Sequence, residues 1–241
     1  MKQSIGHFKY LTFDVVGTLI DFEGGLTACL AEIAAEAGGT VDGEQALSLY
    51  RAARYSADAG LFPDDLVRVY AAIAPKLGLP AGQAFGERLR DSAKTWQGFP
   101  DSAAALARLG KHTKLIAMTN ARRWALDHFE RELGMPFYAT FTVDDTATEK
   151  PDPAFFQQVF DFVVRDGGSK SDILHVAQSQ YHDIGISRKL GLTNCWIERR
   201  HAQQGYGGTI EPAEFTAPDF HFHTLAQLAD AVDVETRRAA S

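Results

Sequence analysis

The chain has 241 residues, of which 45% are hydrophobic and 23% charged, and its 24 Lys and Arg against 31 Asp and Glu leave a net charge of −7. That length suits one large domain or two modest ones. The basic residues cluster only in pairs such as Arg122-Arg123 and Arg199-Arg200, so no basic stripe points to nucleic acid, and no apolar run is long enough to suggest a bilayer span. Cys29 and Cys195 lie far apart in hydrophobic surroundings. They read as buried thiols of a reducing compartment, neither a staple nor a metal knuckle. Asp14 and Gly17 interrupt the first apolar stretch, which argues against a signal peptide and for a cytoplasmic location.

Taken in order, "FKYLTFDV" (8–15) predicts a buried first strand from its β-branched and aromatic content. Between Glu23-Gly24-Gly25 and Gly98 the periodicity becomes helical. "LTACLAEIAAEAGG", "GEQALSLYRAARYSADAG", "DDLVRVYAAIAPKLG" and "AFGERLRDSAKTW" give four successive helices with no strand among them. After Phe99-Pro100 strands and helices alternate. Residues 102–109 read as a helix, "TKLIAMTN" (113–120) as a strand, "RRWALDHFERELG" as a helix and "FYATFTVDD" as a strand. "PDPAFFQQVFDFVVRD" follows as a helix whose prolines suit its first turn. "DILHVAQS" is then a strand, "HDIGISRKLG" a helix, "TNCWIERR" a strand, and "DFHFHTLAQLADAVDV" a short strand and a helix. "QQGYGGT" (203–209) lacks the lysine and helix of a phosphate-binding loop and is expected to be a mobile connection.

This alternation predicts an α/β fold with a parallel, doubly wound sheet, whose ligands bind beyond the carboxyl ends of the strands. The expected division is a core of residues 1–22 and 98–241 with an all-helical cap of residues 23–97, hinged at Gly24-Gly25 and Gly98. Strand ends would deliver Asp14, then Thr119-Asn120, then Lys150, then Gln178, Ser179 and Asp183. Taken singly, an Asp or Asn after a strand can simply cap a helix or make a turn. Four such ends at one sheet edge are hard to explain as capping.

On the ordered motifs "FDVVGTL", "AMTN", "EKPDPAFF" and "HVAQSQYHDIGISRKLGL", the chain resembles the haloacid dehalogenase superfamily. The resemblance implies a Rossmann-like core with Asp14 as nucleophile. Most members are Mg²⁺-dependent phosphatases with a second aspartate two residues after the first and an acid at the start of the fourth motif. Here those positions hold Val16 and Gln178. Ester cleavage needs an acid to protonate an alkoxide leaving group, and phosphoryl transfer needs a cation against charge repulsion. Halide departs without a proton, and an sp³ carbon carries no phosphoryl charge.

The resemblance therefore sharpens toward the L-2-haloacid dehalogenase branch, which implies no metal and no cofactor. It implies that Asp14 attacks Cα of a 2-haloalkanoate to form an aspartyl ester, which water then hydrolyses. Lys150 would keep Asp14 ionised, and Asp183 would orient Lys150 or the water. Asn120, with backbone N–H groups near Thr119, would hold halide or substrate carboxylate. Cap residue Arg51 would bind the substrate carboxylate, with Arg54 in reserve three residues on along a helix face. Val16 and Thr119 would touch substrate, and water could be positioned by Gln178, Ser179 or Asp183. Phe22, Tyr55 and Phe62 would wall the pocket. Well-known relatives carry Tyr at Val16, Ser at Thr119 and a fourth motif one residue shorter, and they often form dimers, so a small-molecule substrate and a homodimer are the expected partners.

Two other readings stand beside this one: a phosphatase of a small phosphorylated metabolite taking its acid from Asp145 or His182, and a non-catalytic binding protein on the same fold. His221 and His223 would share one side of a strand, but no third ligand is evident, so a packed or surface pair is expected and no metal site.

Overall fold

The computed structural model describes residues 4–239. Among these, six parallel strands form one sheet in the order β3-β2-β1-β4-β5-β6. They are β1 (Tyr10–Phe13), β2 (Lys114–Met118), β3 (Ala139–Phe141), β4 (Ile173–Ala177), β5 (Thr193–Ile197) and β6 (Phe220–Phe222). The central strand β1 is buried throughout, as a near-continuous apolar sequence requires in a sheet covered on both faces. Successive side chains of a strand point to opposite faces. Leu11 and Phe13 accordingly join one apolar cluster and Tyr10 the other.

The chain winds outward from β1 through β2 to β3, then returns to place β4 on the other side of β1. That reversal is the point where open parallel sheets bind ligands.

Helices cover both faces: α5 (Ser102–Leu109), α6 (Arg123–Glu132), α8 (Pro153–Arg165), α9 (Gly185–Lys189) and α10 (Leu225–Ala239), with the one-turn α7 (Val143–Thr146) after β3. Four helices follow β1 directly: α1 (Phe22–Glu36), α2 (Gly43–Arg54), α3 (Leu66–Leu77) and α4 (Gln83–Ser92). They pack on one another, α3 touching both α2 and α4 while α1 touches α2 and α4. Their apolar sides continue into the cluster on one face of the sheet. Cys29 and Cys195 are buried free thiols. No helix among the described residues is long and apolar enough to cross a membrane.

The structure alters three local expectations. The strand expected over "FYATFTVDD" stops at Phe141. Thr142 and Asp145 form a reciprocal cap, with Thr142 N and Oγ1 donating to Asp145 Oδ2 at 2.8 and 2.7 Å, and this starts α7. The helix expected from His182 is preceded by a wide π-type turn at Gln180–Ile184, a feature frequent at functional sites. Gly24 and Gly25 lie in the first turn of α1 and so are no free hinge; Asp21 caps that turn by accepting from Gly24 N at 3.0 Å. The two crossings between sheet and inserted helices run side by side. Asp21 N donates to Gln97 O and Phe99 N to Leu19 O, both at 2.9 Å, around an Ile20–Gly98 bridge.

Gly25 serves close packing. A Cβ there would lie 2.2 Å from Cδ1 of the buried Trp96, whose ring stacks on Phe129 with centroids 6.3 Å apart. Gly25→Ala is expected to lower stability by about 1–3 kcal/mol through overpacking, measured as a shift in the urea midpoint.

Candidate active site

Each polar strand end is held by its own local geometry. After β1, Asp14 N donates to Val176 O at 3.0 Å, anchoring the residue to β4. Gly17 then turns the chain at a φ of +89°, a conformation glycine adopts without a Cβ clash. This brings Thr18 back, so that its Oγ1 donates to Asp14 Oδ2 at 2.6 Å and accepts from Gln178 N at 2.8 Å. One hydroxyl thus joins the ends of β1 and β4.

At the end of β2, Asn120 and Lys150 exchange hydrogen bonds. Asn120 Nδ2 donates to Lys150 O at 2.9 Å and Lys150 N donates to Asn120 Oδ1 at 2.7 Å. After β4, Ser179 Oγ accepts from His182 N at 3.0 Å, and the π-type turn carries Asp183 back beneath the strand ends.

These placements converge on a buried charge cluster. Lys150 Nζ donates to Asp14 Oδ1 at 2.9 Å and to Asp183 Oδ1 at 2.6 Å, with side-chain exposures of 1%, 10% and 0% for Lys150, Asp14 and Asp183. Behind Asp183, His175 Nε2 lies 3.0 Å from the same Oδ1, and His175 Nδ1 lies 2.9 Å from Thr12 Oγ1. Asp183 Oδ2 is buried with no protein hydrogen-bond partner.

The electrostatics separate the two carboxylates. Burial pushes Asp14 above the ordinary carboxylate value and outweighs the pull of Lys150. Burial also works to raise Asp183, but Lys150 and His175 together overcome it and hold it down to about 2. Lys150 shows the mirror case: burial disfavours its charge, yet the two carboxylates leave its pKa raised. Asp183 is therefore the fixed counter-ion, and Asp14, at the cavity, is the carboxylate whose charge is less well compensated.

A cavity of about 460 Å³ opens over this cluster. Asp14, Val16, Thr119, Asn120, Lys150, Gln178, Ser179 and Asp183, all expected at the site, line it together with Phe22, Tyr55 and Phe62 from the inserted segment.

Four placements differ from expectation. Asn120 reaches the cavity wall and gains a positioning role, with Oδ1 and one Nδ2 hydrogen engaged by the Lys150 backbone and the second Nδ2 hydrogen uncommitted. Arg51 does not line the cavity; its Nη1 donates to Gly207 O at 2.7 Å. Arg54, the reserve residue, does line it, buried and 3.2 Å from Glu149 Oε1 and 3.9 Å from Asp65 Oδ2. The loop at 203–209 is tied down: Gly208 N donates to Glu23 Oε1 at 2.7 Å, and Gly208 and Thr209 form cavity wall.

Thr18, His175 and Glu149 received no role from sequence. An imidazole within the otherwise apolar β4 is the one signal that could have marked His175. His182 also lines the cavity; burial pushes its pKa down to about 4, so its ring is neutral at pH 7 and is no proton donor there. Asp145, the other candidate acid, is bound to Thr142 and Arg123 and is not among the cavity residues.

Residues 8–183 match the model of the haloacid dehalogenase-like hydrolases, and the chain belongs to that family. No curated protein matches it. Among solved structures, it is similar to the HAD-hydrolase YfnB from Bacillus subtilis bound to magnesium, with a TM-score of 0.75 at 18% identity over 94% of this chain and 99% of that one. The defluorinating L-2-haloacid dehalogenase Rha0230 gives 0.75 at 18% identity, over 94% and 95% of the two chains. The L-2-haloacid dehalogenase from Xanthobacter autotrophicus with chloropropionic acid covalently bound gives 0.74 at 21%, over 94% and 98%. At these identities the likeness is one of fold.

A magnesium ion takes six oxygens in an octahedron and is usually held by one or two carboxylates, with water completing the shell. Asp14 Oδ1 and Asp183 Oδ1 both face the Lys150 ammonium, and Val16 and Gln178 bring no carboxylate to the cavity. Of the four oxygens of Asp14 and Asp183, only Asp183 Oδ2 has no protein hydrogen-bond partner.

Replacing Lys150 by Met would leave two buried carboxylates without their cation. The expected cost is about 3–5 kcal/mol at pH 7. Without Lys150 both carboxylates gain pKa, so the deficit is largest where they are ionised and shrinks as pH falls and they protonate. Urea unfolding of the variant and the parent protein at pH 7 and pH 5 measures both effects.

Proposed function

We propose that this protein is a metal-independent hydrolase that cleaves the carbon–halogen bond of a short 2-haloalkanoate and yields the 2-hydroxy acid. Residues 23–97 serve as a cap over a catalytic core of residues 1–22 and 98–241. One observation carries the reading: the buried Asp14 carboxylate sits against an ammonium and a hydroxyl, while the position two residues on is Val16. Such a nucleophile suits a leaving group that departs as a stable anion. It is poorly equipped to expel an alkoxide, which needs a proton.

In this mechanism an Asp14 carboxylate oxygen attacks Cα, a carbon–oxygen bond forms as the carbon–halogen bond breaks, and the halogen leaves with the bonding pair as halide. Lys150 holds Asp14 ionised and oriented, and the carboxylate's raised pKa makes it a better nucleophile once deprotonated. Water then adds to Cγ of the aspartyl ester; one of its protons passes to the departing 2-hydroxy oxygen and the other to solvent, so this second step carries its own proton and leaves the 2-hydroxy acid and the Asp14 carboxylate. The His182 ring lines the cavity with its Nδ1 3.0 Å from Ser179 Oγ, which leaves Nε2 to orient that water. Arg54 binds the substrate carboxylate, for which a guanidinium offers two parallel donors, and the aromatic residues from the cap enclose the alkyl chain.

The test is 2-chloropropionate turnover in chelator-treated buffer, together with a single turnover in heavy-oxygen water. Chloride release with label on the Asp14 peptide is expected. Label confined to the product would remove the ester route; silence toward haloacids with Mg²⁺-dependent turnover of phosphate esters would replace the reading by a phosphatase.

Glu149 competes for Arg54. Burial raises the Glu149 pKa against the pull of Arg54, and a substrate carboxylate must displace it. Glu149→Gln is expected to lower KM about fivefold, the equivalent of ~1 kcal/mol for a partly exposed pair, with kcat little changed. Steady-state kinetics on 2-chloropropionate reads the split.

A further inference from the structure

At the far edge of the sheet, the ends of β5 and β6 gather three histidines around one glutamate. Glu198 follows β5 directly, and its backbone N donates to Phe222 O at 2.8 Å, setting the two strand ends side by side. His201 lies three residues further on, held by its N–H to Glu198 O at 3.0 Å. His221 sits in β6 opposite Trp196, and His223 follows two residues later.

A single oxygen, Glu198 Oε2, lies 2.8 Å from His221 Nε2, 3.2 Å from His223 Nδ1 and 3.5 Å from His201 Nδ1. The His201 and His223 rings stack with centroids 3.6 Å apart. One ligand atom each from Glu198, His201 and His223 falls within 4.8 Å of the others, and among the described residues this is the group of such side chains close enough to share an ion. His223 Nδ1 is also sequestered from solvent without a well-aligned hydrogen bond, although a polar ring atom in that setting normally finds a partner.

We propose that Glu198, His201 and His223 bind a divalent first-row transition-metal ion of the Zn²⁺ class, with His221 holding the carboxylate in place. Ligand bonds near 2.0–2.1 Å put tetrahedral donor atoms about 3.4 Å apart; to close on an ion, the stacked His201 and His223 rings must turn so that each Nδ1 lone pair points at it. Two imidazoles and one carboxylate select Zn²⁺, Co²⁺, Ni²⁺ or Cu²⁺ over the hard ions Mg²⁺ and Ca²⁺. A ligating carboxylate is ordinarily itself hydrogen-bonded, here by His221 Nε2 at 2.8 Å.

The ion would clip the start of the segment 198–209 onto β6. The far end of that segment supplies Gly208 and Thr209 to the cavity. His221 also stacks on Trp196 with centroids 4.6 Å apart, and the Trp196 indole N–H donates to Gln178 O at 2.8 Å. The site is therefore mechanically joined to the cavity wall while taking no part in the chemistry proposed there.

The test is calorimetric titration of chelator-stripped full-length protein with Zn²⁺, with Mg²⁺ as control, and Co²⁺ titration followed by visible absorption. One Zn²⁺ per chain with micromolar or tighter affinity, an intense tetrahedral-type Co²⁺ spectrum and no heat with Mg²⁺ are expected. His201→Ala/His223→Ala should lose the site, while His221→Ala should weaken it about 10–100-fold. Circular dichroism confirms that each variant is folded. Absence of Zn²⁺ binding, or binding and a Co²⁺ spectrum unchanged in the folded double variant, would overturn the assignment. None of these readouts depends on haloacid turnover.

Discussion

A single ammonium group, Lys150 Nζ, lies between the carboxylates of Asp14 and Asp183 where solvent scarcely reaches. Burying any of these charges alone would be strongly unfavourable, and each is tolerated because the others are within hydrogen-bond distance. Several features of the surrounding structure serve that arrangement. Asn120 grips the Lys150 backbone from both sides, His175 and Thr12 form a chain behind Asp183, and Thr18 ties Asp14 to the end of β4. The neighbours that fix the charges are as much a part of the site as the charges themselves.

The sheet explains why three residues so distant in sequence can meet. Parallel strands deliver all their carboxyl ends to one edge, and the reversal of winding beside β1 leaves a crevice there. The helices inserted after β1 then close the crevice from above. Their attachment through paired crossings at Leu19–Asp21 and Gln97–Phe99, and the apolar cluster shared with one sheet face, make them one wall of the cavity. The cavity is polar at the strand ends and largely aromatic where the inserted helices face it.

The histidine cluster at the carboxyl ends of the outer strands β5 and β6 illustrates the same logic at a smaller scale. His221 lies in β6 and His223 just past its end, two residues on, a spacing that periodicity alone makes plain. Glu198 and His201 join them because β5 and β6 are neighbours in parallel register, a relation that no local pattern in the sequence carries.

The sequence by itself determined the strand and helix alternation, the inserted run of helices and the family, because hydrophobic periodicity and short motifs are local properties. It also supplied Asp14, Lys150 and Asp183 as a group, since each stands where a strand of that pattern must end. Which arginine reaches the cavity was decided only by the tertiary structure: Arg51 and Arg54 lie one helical turn apart, and the rotation of α2 against the sheet and the loop at 207–209 chooses between them. The hydrogen-bond partners of Asn120, Thr18, His175 and Glu149 emerged in the same way. A side chain's hydrogen-bond capacity is fixed by its type, but what takes up that capacity depends on neighbours brought near by packing across the whole chain.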